Sequence, residues 1–104
     1  MQGDVTRTIA RKWLADVPED KVFWVQGGMT LKNLADLEAA LKTMSDDTFN
    51  FHLNINKNDF SNWVRDVIGD EKLAGDLWVS TTRAQTLQAV SDRLAYLKRR
   101  SRSK

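Results

Sequence analysis

The chain has 104 residues, 41% of them hydrophobic, with 16 basic and 14 acidic side chains and a formal charge of +2. That length and apolar content suit a single domain with one core, and the lack of cysteine excludes disulfides, thiolate metal sites and a cysteine nucleophile. No stretch approaches the ~18 apolar residues of a membrane span, and the opening MQGDVTRTIARKWLADV has no apolar secretory segment, so a cytoplasmic chain without a membrane partner is expected.

The first expected element is a helix over residues 4–17, capped by Asp4, with Val5, Ile9, Trp13 and Val17 stacked at i, i+4 steps and Pro18 as its stop. Its outer side carries Arg7, Arg11 and Lys12. Residues 21–25 (KVFWV) are β-branched and aromatic and are closed by Gly27 and Gly28, so they read as one short extended segment. Such a segment either straps across the helices or pairs with another strand, from this chain or a partner.

Thr30 is read as the cap of a helix over residues 31–44, with Leu34, Leu37, Leu41 and Met44 as its apolar stripe. Ser45 opens another helical turn through SDDTFNFHL, where Asp46 and Asp47 suit the N-terminal dipole and Phe49 shares a face with Leu53 while Phe51 points elsewhere. INKN reads as a polar linker. Asn58 or Asp59 then caps a helix whose Phe60, Trp63, Val64, Val67 and Ile68 share one face, and Gly69 stops it.

Asp70 caps a short helix to about Trp78 that turns Leu73, Ala74, Leu77 and Trp78 inward. Thr81 or Thr82 starts a last, long helix with Leu87, Val90, Leu94 and Leu97 as a seam too short for a coiled coil. The expectation is a mainly all-α fold: a compact bundle of five or six short helices over residues 1–97 with one extended segment. Trp13, Trp24, Trp63 and Trp78 fall one per element, which suits core anchors better than a binding platform.

The charge is unevenly placed. Lys98, Arg99, Arg100, Arg102 and Lys104 lie at the end, which leaves 11 basic against 14 acidic side chains over residues 1–97. The tail is most simply a frayed, solvated helix end whose cations complement the C-terminal dipole. Its functional alternative is sequence-independent nucleic-acid contact through Arg99, Arg100, Arg102 and Lys104.

Reaction motifs fail one by one. His52 is the only histidine and there is no thiol, too little for zinc, and no second histidine exists to activate a serine. Asn54, Asn56 and Asn58 have the 1, 3, 5 spacing of a calcium loop, but Asp59 stands where glycine is needed and Arg65 where a bidentate glutamate is needed. GGMTLKN has neither phosphate-loop spacing. A helix-turn-helix around Gly69 and Asp70 would need a basic second helix, and EKLAGD is acidic. No catalytic residue, metal or cofactor is implied; a small-ligand or metal site, if present, centres on His52, Asn58, Asp59 and Asp70.

The order W-V-Q-G-G, L-K-N-L-A-D-L, M-S-D-D-T-F-N-F-H and K-N-D-F-S-N-W-V-R-D-V-I-G-D-E-K-L-A resembles an uncharacterised, largely archaeal prokaryotic family of unknown function over residues 21–97. The motif falls on Gly27, Asn33, Leu34, Phe49, His52, Asn58, Asp59, Phe60, Trp63, Gly69, Asp70, Leu73 and Ala74. The resemblance implies a small helical module and no established activity. Together with the many large apolar residues, the expected role is a non-enzymatic protein-interaction or regulatory module, as a monomer or weak homodimer.

Overall fold

Short polar side chains set where each helix begins. A computed structural model describes residues 5–102, in which one small hairpin falls between the first and second of six helices and another between the third and fourth. α1 (Arg7–Leu14) starts behind Thr6, α2 (Leu34–Thr43) behind Asn33 and α3 (Asp46–His52) behind Ser45; each cap oxygen accepts a backbone N–H of the first turn. Asn58 does the same for α4 (Asp59–Trp63) and Asp70 for α5 (Glu71–Trp78). Thr82 precedes α6 (Arg83–Arg102) and accepts from the Gln85 N–H at 3.1 Å. Such caps contribute ~1 kcal/mol each.

Several expected boundaries move. The first helix is shorter than residues 4–17: Thr6 is its cap, Asp4 lies outside the described residues, and Ala10 is its fully buried residue while Ile9 faces solvent. Thr30 is not a cap but part of a strand, and Asn33 opens α2 because its side chain accepts from Asp36 while the Asp36 carboxylate returns to the Lys32 N–H. The basic segment is helical as far as Arg102.

The KVFWV segment pairs inside the chain. β1 (Phe23–Trp24) runs antiparallel to β2 (Thr30–Leu31), with Phe23 opposite Leu31, both buried, and Trp24 opposite Thr30, both exposed. The connecting turn needs positive φ at Gly27 and Gly28. The INKN linker is also a hairpin: β3 (Leu53–Asn54) pairs with β4 (Lys57–Asn58) around Ile55 and Asn56. Asn54 donates to the Asn50 and Phe51 carbonyls and accepts from the Asn56 N–H, which explains a turn built from asparagine.

α1 lies antiparallel along the second half of α6, with Val5 and Arg11 at residues 100 and 101 and Trp13 at Arg93. α2 covers the first half, where Arg83 donates to the Leu41 carbonyl at the end of α2 and Ser91 to Glu38. Leu34, Leu37, Leu41, Phe49, Phe60, Trp63, Val64, Leu73, Leu77, Val90 and Leu94 are buried in one core, and Trp13, Val67 and Leu87 are half-buried at its margin. The radius of gyration of 13.3 Å equals the ~13 Å of one compact domain of this length.

Two of the four tryptophans are not core anchors: Trp24 is 69% and Trp78 is 61% exposed. Trp24 sits on the outer face of a strand whose inner face is Phe23, and Trp78 ends a short helix that turns Leu73, Ala74 and Leu77 inward.

After α4 the helix widens into a π turn over Val64–Ile68, which closes with a bond from the Gly69 N–H to the Val64 carbonyl at 2.7 Å. Gly69 has φ +94°, a left-handed conformation, and a Cβ there would meet Trp13 Nε1 at an ordinary 3.5 Å. Backbone strain therefore sets the cost of Gly69→Ala, ~1–2 kcal/mol. Urea unfolding should show a lower midpoint with an unchanged slope.

Candidate functional site

The residues singled out from the sequence gather in two separate places. His52 ends α3 and is 3% exposed, wedged among rings: Phe23 at 4.9 Å, Phe51 at 5.0 Å and Phe60 at 5.6 Å between centroids. Its polar atoms are committed. Nδ1 lies 2.9 Å from Asp59 Oδ2, and Nε2 accepts the Gln26 backbone N–H at 3.0 Å. A backbone N–H can only donate, so this pattern assigns the neutral imidazole with its proton on Nδ1.

That assignment bears directly on catalysis. A histidine oriented by a carboxylate is the arrangement of a general base, provided its second nitrogen faces a substrate. Here that nitrogen faces Gln26, and the ring is sealed by aromatic side chains. Asp59 is itself shared, because the same Oδ2 also meets Lys57 Nζ at 3.0 Å, and the Lys57 ammonium lies 4.2 Å from the Phe51 ring centre. The pair fastens the first hairpin to α3 and α4.

Asn58 is buried and does two jobs. Its Oδ1 caps α4 through the Ser61 N–H, and its Nδ2 donates to the Leu77 carbonyl near the end of α5 at 2.9 Å. Ser61 adds a bond to the Ala74 carbonyl at 2.7 Å, so the two helices are tied by side chains at both positions.

Asp70 is fully buried and belongs to the second place. It caps α5 through Leu73 and receives Arg93 of α6 in a two-pronged pair, Nε to Oδ2 at 2.7 Å and Nη2 to Oδ1 at 2.9 Å. Sequence reasoning missed Arg93. Its guanidinium also lies 5.0 Å from the Tyr96 ring centre and 5.7 Å from that of Trp13, which joins α1, α5 and α6 at one charge. Nothing in the spacing of Asp70 and Arg93 marks them as partners.

Other polar groups are local. Arg65 bonds Asp66 at 2.9 Å on the surface, and that hydrogen bond draws the Asp66 carboxyl below the usual carboxylate range and raises the Arg65 guanidinium. A groove of about 530 Å³ between α5 and α6 is lined by Val79, Ala89 and Tyr96 together with polar groups that pair, among them Lys72 with Asp76 and Gln88 with Asp92. Among the described residues no three His, Cys, Asp or Glu side chains gather to hold a metal ion, and no helix is long and apolar enough to cross a membrane.

Some large apolar side chains are exposed as well. Ile55, at the tip of the second hairpin, is 98% exposed, and it lines one hollow of about 210 Å³ together with Trp78. Trp78 also lines a second hollow, of about 300 Å³, with Ser61, Arg65 and Gly75. A Cβ at Gly75 would meet no atom within 4 Å, so that side of α5 is open. No protein-family model matches the chain, and no curated protein or solved structure matches it either.

Two outcomes check the reading of the polar groups as joints. His52→Phe keeps the ring packing but leaves the part-buried Gln26 N–H without its partner, a loss of ~1 kcal/mol that hydrogen exchange should report as lost protection at that amide. Arg93→Met isolates a buried carboxylate and should cost ~3–5 kcal/mol. Adding Asp70→Asn keeps a capping oxygen and removes the charge, so the double variant should unfold at a higher denaturant concentration than Arg93→Met alone.

Proposed function

We propose that the protein is a non-enzymatic protein-interaction module that docks apolar side chains of a partner on Trp78 and Ile55. One observation carries this reading: among the exposed large apolar side chains, a tryptophan and an isoleucine from different elements line one and the same hollow. Tryptophan is the residue type most often found at the energetic centre of an interface, because it offers a large rigid apolar area. The hollow of about 210 Å³ that Trp78 shares with Ile55 is small for a metabolite and suits a single side chain.

The chemistry around His52 supports the same choice by elimination, since neither of its nitrogens is directed to solvent. The cysteine-free composition supports a reducing, cytoplasmic setting for the interaction.

Both residues are exposed, so Trp78→Ser and Ile55→Ser should change stability by less than ~0.5 kcal/mol. Binding should respond far more, because truncating a central tryptophan typically costs ~2–4 kcal/mol of affinity. Affinity capture from a native extract, with thermal melts run in parallel, should recover a partner with the wild-type chain and lose it with Trp78→Ser. Equal recovery by the two chains, or none by either, rejects the proposal.

A further inference from the structure

The fold joins basic side chains that are far apart in sequence. α1 carries Arg7, Arg11 and Lys12, and the last residues of α6 carry Lys98, Arg99, Arg100 and Arg102, with no acidic residue in α1 or from Arg93 to Arg102. The two stretches pack against each other: Arg11 Nε donates to the Ser101 carbonyl at 3.3 Å and Arg100 Nε to the Val5 carbonyl at 2.9 Å. Removing these seven cations leaves 9 basic against 14 acidic side chains in the rest of the chain. The charge is strongly segregated.

Helix stability explains only part of this. Cations at the end of α6 complement its dipole, but Arg7 occupies the first turn of α1, where a cation opposes the dipole and where no acidic residue stands. We propose that the paired face of α1 and the end of α6 binds the phosphates of duplex DNA without reading its sequence.

The surface chemistry favours that partner over the other polyanions. Val90, Leu94 and Leu97 of α6 are buried in the core, so this part of the helix has no apolar face left to enter a bilayer. Single strands are held by stacking on exposed aromatics, and the exposed aromatics Trp24, Phe51 and Trp78 lie on other elements. Sequence-specific RNA recognition draws on unstacked bases laid against aromatic side chains, and no exposed aromatic lies on α1 or the end of α6, where lysine and arginine supply donors and point charges. Phosphate contacts need no more than that.

The test is a salt titration of binding to a labelled duplex of random sequence, followed by fluorescence anisotropy. The four cations Arg7, Lys12, Lys98 and Arg102 would give a log–log salt slope of about −4, or ~10²-fold loss of affinity between about 50 and 200 mM salt. Arg11 and Arg100 are kept because they bond backbone carbonyls. The α1 pair Arg7→Gln with Lys12→Gln, and the α6 pair Lys98→Gln with Arg102→Gln, should each flatten the slope by roughly 2, with unchanged melting. An effect of the α6 pair alone overturns the shared face. So does no binding at low salt, or tighter binding to the single strand, to duplex RNA or to phosphatidylserine vesicles.

Discussion

A buried imidazole with two partners is the joint on which the arrangement of this protein depends. His52 lies among Phe23, Phe51 and Phe60, where an unmet polar atom would be costly, and it is tolerable there because Gln26 supplies a donor and Asp59 an acceptor. Those partners come from the first hairpin and from α4, so satisfying the ring fixes where both must sit. The packing follows from that placement: Phe23 stacks on Phe60 at 5.5 Å and meets Trp63 edge-on at 5.7 Å, and Trp63 Nε1 donates to the Lys21 carbonyl. A two-residue strand pair has little stability of its own. The first hairpin holds because its inner face is part of the aromatic core.

The junction between the π turn and α5 is organised by a charge. Asp70 is both the cap of α5 and the partner of Arg93, and Gly69 beside it makes the left-handed turn that lets α5 fold back on α4. Replacing such a buried pair by apolar residues is often neutral, so its presence is weak evidence for added stability. Its geometric effect is clearer. One carboxylate accepts from the first turn of α5 and from a guanidinium on α6, and that guanidinium lies against aromatic rings of α1 and α6, so three helices share a single register point.

Local signals were legible where one side chain acts on its own neighbourhood. Ser45 and Asp70 as caps, Gly69 as a stop and the Phe60 to Ile68 face all follow from short spacing, and the mainly helical fold follows from them. Strands of two residues are shorter than any alternating pattern, so β2 was hidden behind Thr30, a residue that also begins helices. Trp24 and Trp78 misled for a related reason: bulk says that a residue can be buried, and only the partner element decides whether it is. His52 and Asp59 lie seven residues apart and were suggestive together, but the Gln26 amide that occupies the second ring nitrogen is backbone and leaves no mark in the sequence.

Catalysis requires a lone pair or proton that a substrate can reach. The polar groups that looked most chemical in this chain are the ones most completely used inside it: His52 by an amide, Asn58 by two helix ends, Asp70 by an N-terminus and an arginine. Each is held in place by the very contacts that occupy it, so freeing one for chemistry would loosen a junction between helices. Function is then sought where side chains are exposed without a structural reason. Trp78 and Ile55 meet that description on apolar grounds, and Arg7 meets it on electrostatic grounds, because its position works against the helix that carries it. A tryptophan hollow and a basic helix pair recognise different chemistry, so the two surfaces can be altered separately without disturbing the polar joints beneath them.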